Sequence, residues 1–267
     1  MLKTRIITAL VIAPIVLALI FFAPRWLFAF VMLLMALVGA WEWSALVGRP
    51  SRNARISLAV FFAVLVGLGL GLQRHLPGVP WLMLYCLVAL GWWVFSLVWI
   101  AFWRADFPAP VKVLCGVLTL LPSLAAVVAI RDGNPWYLVI QLLITSGADI
   151  GAYFAGRTFG KHKLAPQVSP GKTWEGVVGG AALVVVVALV ADHWLPVAAL
   201  PFVLLSICVG LLSVVGDLSE SLFKRQAGLK DSGTLFPGHG GFLDRVDSLT
   251  AAAPLFWLGL RAMGVLP

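Results

Sequence analysis

Charge is scarce in this sequence. Charged residues make up 11% of 267 positions and the AVILMFWYC set 61%, against roughly 25% and about 45–50% in an average soluble domain. That leaves too little polar surface to cover a water-soluble globule. Cysteine is scarce too: Cys86, Cys115 and Cys208 share no metal-ligand spacing and suggest no disulfide framework, so they read as small apolar fillers. Acids are thin in the first half, where Glu42, Asp106 and Asp132 are the only ones before residue 140. The runs Ile6–Ala23, Trp26–Ala40 and Val177–Ala191 carry no charge at all. A helix needs about 20 mostly apolar residues to cross a bilayer core of roughly 30 Å. The period-two alternation of a membrane barrel strand is missing. An all-α, polytopic membrane protein follows, because lipid leaves only helices or closed barrels.

Nine transmembrane helices are expected, at about 6–23, 26–47, 56–72, 80–103, 111–130, 136–156, 173–191, 197–222 and 248–265. The third, interrupted by Gly67, Gly69 and Gly71, is the weakest of them. Prolines and polar clusters mark the joints. Lys3 and Arg5 ahead of an apolar stretch mimic a secretory signal, but with no small-x-small cleavage site before Pro24 a retained first helix is expected. With a cytoplasmic N-terminus, only Arg25, Arg74, Arg131 and Arg261 of the 19 Lys and Arg fall outside, as the positive-inside rule requires. The net charge of +8 is therefore a topology signal, and no nucleic-acid partner is implied. The acids concentrate after residue 140. Residues 1–140 read as scaffold helices and 141–267 as the catalytic region of one integrated membrane domain.

Two segments carry the chemistry. In the first, Asp217, Glu220, Ser221 and Lys224 recur at helical spacing and share one face of the eighth span. Ionisable groups at membrane depth usually line a polar cavity; a plain Glu220–Lys224 ion pair is the simpler alternative. Lys230 and Asp231 follow, then Pro237, Gly238, His239, Gly240 and Gly241. Glycines there would let backbone N–H groups approach an anion, and His239 could donate to a phosphate. Asp244, Arg245 and Asp247 open the ninth span. Helix capping by Asp244 explains one carboxylate. Asp217, Asp244 and Asp247 converging beside Lys224, Arg225, Lys230 and Arg245 suit Mg²⁺ and phosphate, since Mg²⁺ takes one or two carboxylates plus phosphate oxygens.

The second segment runs from Asp149 and Tyr153 through Arg157, Lys161, His162 and Lys163 to Ser169, Pro170, Gly171, Lys172, Thr173, Trp174, Glu175 and Gly176. Ser169 before Pro170 predicts a helix start with proline at its first position. Lys172 and Thr173 at a helix N-terminus would suit an anion. A P-loop does not fit Gly171-Lys172-Thr173: its earlier glycine would fall at Pro166 and no strand is expected before it.

The ordered series Ser221, Phe223, Lys224, Arg225, Lys230, Asp231, Gly233, Phe236, Pro237, His239, Gly240, Gly241, Phe242, Asp244, Arg245, Val246 and Asp247 resembles the signature of the phosphatidate cytidylyltransferases (CDP-diacylglycerol synthases), without departure. The segment with Ser169, Pro170, Lys172, Thr173, Glu175 and Gly176 resembles that family as well, as does the one with Asp149, Ala152, Tyr153, Gly156 and Arg157. The resemblance implies attack of a phosphatidate phosphate oxygen on the α-phosphorus of CTP, giving CDP-diacylglycerol and pyrophosphate. It also implies Mg²⁺ with a second cation such as K⁺, and a homodimer with nine spans per subunit. The protein would lie in the cytoplasmic (inner) membrane among membrane lipids, with the N-terminus and site cytoplasmic and the C-terminus outside. On this reading Asp217, Asp244 and Asp247 are the metal ligands. Lys224, Arg225, Lys230 and Arg245 hold phosphates, Asp231 orients Lys230 or joins the metal shell, and His239 completes the catalytic set. Ser169, Lys172, Thr173, Glu175, Ser221, Gly240 and Gly241 are the substrate-binding candidates.

Two other classes were weighed. A transporter could use Asp149 and Asp217 for ion coupling, but no inverted repeat is visible. The motif of CDP-alcohol phosphotransferases ends in two acids with three residues between them, whereas two residues separate Asp244 from Asp247. A CTP-dependent lipid kinase is the nearest alternative.

Overall fold

The computed structural model describes residues 2–76, 78–235 and 240–266. Nine α-helices dominate them: α1 Leu2–Phe22, α2 Arg25–Leu46, α3 Arg52–His75, α4 Trp81–Val98, α5 Ala109–Gly133, α6 Pro135–Phe159, α7 Trp174–Asp192, α8 Ala199–Gln226 and α9 Leu243–Ala262. A π-helical stretch, Trp99–Trp103, extends α4. It stops at Arg104, which turns into the left-handed region at φ 49°.

The chain is an all-α polytopic membrane protein. Seven helices, α2 through α8, are long and apolar enough to cross a membrane, at 19 to 28 residues each. At about 1.5 Å per residue the shortest still matches a core of roughly 30 Å. The two remaining spans of the sequence reading form as helices of different character. In α1 the apolar stretch is Leu10–Phe22. The other, α9, begins five residues before the expected 248, so that Asp244, Arg245 and Asp247 lie inside it. Leu68, Leu70, Val94, Phe102, Val178 and Leu200 point outward and are more than half exposed, as lipid-facing side chains would be. Such an apolar surface on a soluble monomer would mark an interaction site.

Lipid gives no hydrophobic drive for helices to associate, so close packing and small residues must supply it. The pair α6–α7 shows this. A Cβ on Gly180 would lie 2.6 Å from the Ala148 carbonyl oxygen, and one on Gly176 2.9 Å from that of Ala152. The helices therefore touch backbone to backbone, which brings the start of α7 beside Asp149. Likewise, a Cβ on Gly216 of α8 would strike the Asp247 carbonyl oxygen of α9. Contacts of α2, α8 and the α4–α5 connection gather one end of the bundle. Trp43 donates to the Lys112 carbonyl at 2.8 Å and packs 5.2 Å from the Phe223 ring. Gln226 donates to the Ala105 carbonyl at 3.1 Å. Arg25, Arg131 and Asp132 sit at the opposite end, where Arg25 and Asp132 pair at 2.7 Å.

One departure from pure helix matters for the site. Residues 169–173 do not start a helix. They form strand β2 (Ser169–Thr173), antiparallel to β1 (Lys163–Ala165), and α7 begins only at Trp174. Its N-cap is Thr173, whose hydroxyl accepts from the Gly176 N–H at 3.1 Å. A strand thus does precede Lys172, although Pro166 still stands where a P-loop would need glycine.

Gly180→Leu should lower stability by roughly 1–3 kcal/mol through overpacking of the α6–α7 contact. Thermal unfolding of the detergent-solubilised protein checks this, and an unshifted midpoint would contradict the close approach.

Candidate active site

At the gathered end the ionisable groups of α6, β2, α8 and α9 meet. Helical spacing places Asp217 and Ser221 one turn apart, and the Ser221 hydroxyl donates to Asp217 Oδ1 at 3.2 Å. Strand β2 delivers Lys172, whose Nζ lies 2.8 Å from Asp217 Oδ2. Asp247, on α9, faces Asp217 and Asp149, and its Oδ1 accepts from the Ser248 N–H at 2.7 Å. Asp149 reaches the same space from α6 and faces Lys172, Asp217, Arg245 and Ser248. Three acids thus share one polar space, with Lys172 and Arg245 acting on Asp149, Lys172 paired with Asp217, and Lys224 acting on Asp247.

Asp244 belongs to a different arrangement. Its Oδ1 takes a hydrogen bond from Lys224 Nζ at 2.6 Å. Its Oδ2 accepts from the Gly241 N–H at 2.8 Å and the Ser232 N–H at 2.9 Å, and lies 2.9 Å from the Ser232 hydroxyl. Lys224 is also 3.2 Å from Glu220 Oε1, so the expected Glu220–Lys224 ion pair does form. With side chains no more than 10% exposed, Lys224, Glu220 and Asp244 make a buried charged knot. Lys224 is occupied by two carboxylates, and Asp244 by the loop it folds. Gly240 adopts φ +81°, and a Cβ there would crowd Asp244 Oδ2; only glycine meets both demands.

Sequence reasoning passed over Glu42. It lies on α2, is 5% exposed, and reaches the α8–α9 connection. Its Oε1 accepts from the Phe242 N–H and its Oε2 from the Leu243 N–H, both at 2.9 Å; the Ser232 hydroxyl lies 3.0 Å from Oε2. Asp244 is therefore not the cap of α9. The N-cap position is Phe242, with no side-chain cap of its own, and Glu42 supplies the acceptors from another helix. The N–H groups of Gly241, Phe242 and Leu243 all go to carboxylates, so they do not form an open phosphate cradle. The available signal was a lone acid in an uncharged apolar run, costly in lipid unless it is partnered.

Glu175 also turns inward on its own segment. It accepts from the His162 N–H at 3.2 Å and pairs with His162 Nδ1 at 2.6 Å, closing the hairpin. Ser169 lies at the start of β2, paired in register with Ala165. Arg225, Lys230, Asp231 and Arg245 are exposed and form no ion pair among the described residues. Phe236, Pro237, Gly238 and His239 lie outside the described residues, so the structure does not place the His239 imidazole.

No three Asp, Glu, His or Cys side chains among the described residues are close enough to hold a metal ion by themselves. Asp217 and Asp247 offer two facing carboxylates, with purely oxygen donors. That set fits Mg²⁺, which usually binds through one or two carboxylates and completes its shell with water and substrate phosphate. A cavity of about 940 Å³ lies elsewhere, between α2, α3, α4 and α5, lined by Leu33, Leu65, Leu70 and Val117. Its lining is mostly apolar, with Gln73 and the Arg25–Asp132 pair among it, and it contains none of the acids after residue 140.

Removing the cation from the buried knot should be severe. Lys224→Met leaves Glu220 and Asp244 without their shared partner, and stability should fall by about 3–5 kcal/mol. Denaturation of the purified variant checks this; adding Glu220→Gln should recover part of the loss, and a Lys224→Met protein as stable as the parent would overturn the assignment.

Similarity to known proteins agrees with this geometry. A family model described as "Cytidylyltransferase family" matches residues 3–263. A protein named phosphatidate cytidylyltransferase from Pseudomonas aeruginosa is 42% identical, with 99% of this chain and 98% of that protein covered. Proteins of the same name from Haemophilus influenzae and Brucella suis are 36% and 38% identical, each over 96% of this chain and over 97% and 92% of their own lengths. With matches that run nearly end to end, this chain belongs to the cytidylyltransferase family.

Proposed function

We propose that the protein is a phosphatidate cytidylyltransferase, transferring CMP from CTP to phosphatidate to give CDP-diacylglycerol and pyrophosphate. The observation that carries the reading is the acid space of Asp149, Asp217 and Asp247 at the polar end of a lipid-embedded bundle, with Lys172 on Asp217 at 2.8 Å. On this reading a headgroup reaches it from the bilayer and a nucleotide from water.

The chemistry asks for positioning and charge neutralisation more than proton transfer. A phosphate monoester is largely dianionic near neutral pH, with its second pKa at about 6, so its oxygen needs no general base. That oxygen attacks the α-phosphorus, a new P–O bond forms, and the bond from the α-phosphorus to the bridging oxygen breaks. The bond electrons leave with pyrophosphate. Asp217 and Asp247 would hold Mg²⁺, with Asp149 as the third acid of the site; bound there, the ion would neutralise phosphate charge. On this reading Lys172 and Arg245 would meet phosphate beside the acids. Arg225 and Lys230, exposed and without ion partners among the described residues, would receive the triphosphate. Lys224 and Asp244 act one step back by fixing the loop, and Ser221 orients Asp217.

The same reading puts the site and the N-terminus on the cytoplasmic face of the inner membrane and the C-terminus outside, in a homodimer with a second cation such as K⁺. It is supported by the bias of Lys and Arg toward one set of loops. A CTP-dependent kinase would transfer the γ-phosphate instead.

In detergent with phosphatidate, CTP labelled at the α-phosphate should mark the lipid and γ-labelled CTP should not. Lipid labelled only from the γ position would replace this assignment with a kinase. Chelation of Mg²⁺ should stop turnover. Asp217→Asn and Asp247→Asn should each reduce kcat by at least about 10²–10³-fold while the protein still inserts and purifies normally. Full activity in either variant removes that residue from the site.

A further inference from the structure

We propose that Glu42, in the half of the chain that otherwise reads as scaffold, is a positioning residue that sets the start of α9, and with it Asp247, for turnover. The inference rests on the cytidylyltransferase reading for its activity readout, and on geometry alone for its structural one.

The first N–H groups of a helix have no partner within it, and the helix dipole adds partial positive charge at that end. Here those groups do not meet a phosphate or a local cap. Phe242 and Leu243 donate to the two oxygens of Glu42 at 2.9 Å each, across a separation of 200 residues. The Ser232 hydroxyl lies 3.0 Å from Glu42 Oε2 and 2.9 Å from Asp244 Oδ2. Asp244 in turn holds Lys224 at 2.6 Å. A continuous polar chain thus runs from α2 through the loop to α8, and Asp247 lies one helical turn beyond its anchor. Two glycines are shaped around the same carboxylate: a Cβ on Gly233 or on Gly241 would collide with Glu42. Glutamine in its place could not reproduce the contacts, because one acceptor oxygen would become a donor facing an N–H.

Loss of this anchor shifts or tilts the start of α9, and Asp247 moves relative to Asp217. A misplacement of about 1 Å in a reacting site can reduce rate by about 10²-fold. Ground-state binding of CTP uses exposed cations that do not touch Glu42. The consequence is a split between kcat and KM that a general packing role does not produce.

The experiment uses the full-length enzyme in detergent with Glu42→Gln, Glu42→Asp, Gly233→Ala and the double variant Glu42→Ala/Gly233→Ala, measured by steady-state kinetics and by hydrogen exchange. Glu42→Gln should lower kcat by about 10–100-fold with KM for CTP changed less than about threefold. Exchange protection should fall in residues 240–247 and persist in the middle of α8. Glu42→Asp, which keeps the charge, should recover part of both. Gly233→Ala should mimic Glu42→Gln in the native background and add little once Glu42 is alanine. Unchanged kcat and protection in Glu42→Gln would overturn the proposal. So would a loss of protection spread evenly through α5 and α8, which marks a fold defect. If the unmodified protein transfers no label from α-labelled CTP, the cytidylyltransferase reading fails instead, and the exchange pattern alone decides whether Glu42 holds the junction.

Discussion

Glu42 and Asp244 hold the α8–α9 junction between them, and the rest of the site depends on how fully their oxygens are partnered. A carboxylate buried at the edge of a membrane is strongly unfavourable when it stands alone. Each of these two is tolerated because backbone N–H groups, Ser232 and, for Asp244, Lys224 come to it. The loop therefore folds around the acids. Gly233, Gly240 and Gly241 leave room for the oxygens, and Gly240 also takes the positive φ. With the loop shaped in this way, α9 starts at Leu243 and Asp247 falls opposite Asp217.

The acids divide into two sets with different physical states. Glu42, Asp244 and Glu220 are matched by nearby donors or by Lys224 and act as struts. Asp149, Asp217 and Asp247 crowd one another, with Lys172 and Arg245 acting on Asp149 and Lys224 on Asp247. Crowded like charges raise one another's energy until a cation or an acidic proton relieves them. A divalent ion arriving with substrate phosphate would give that relief at the place where the lipid and the nucleotide must meet. Close packing supports this from below: α6 and α7 touch through glycine, and α8 meets α9 at Gly216.

Much of this was legible in the residues. Uncharged runs announced the helices, and helical spacing placed Asp217, Ser221 and Lys224 on one face before any coordinates. The Glu220–Lys224 pair formed as its spacing implied. The sequence reading went astray where partners were remote or local rules competed. Ser169-Pro170 looks like a helix start, yet pairing with β1 draws the segment into a hairpin and leaves Thr173 as the cap. Asp244 looks like a cap, yet Glu42 takes that role from α2. Lys224 looks like a phosphate ligand, yet two carboxylates enclose it.

The one-dimensional pattern by itself determined that the chain is helical and membrane-embedded, and that its acids concentrate after position 140. Those properties follow from composition and from periods of three and four residues, which are local. Only the tertiary structure decided which acids are enclosed by donors, because that depends on partners brought from elsewhere in the chain, for Glu42 from 200 residues away. Glu42 is a lone acid in an otherwise apolar run of α2. What makes it a strut is that the backbone N–H groups of Phe242 and Leu243 point at its carboxylate.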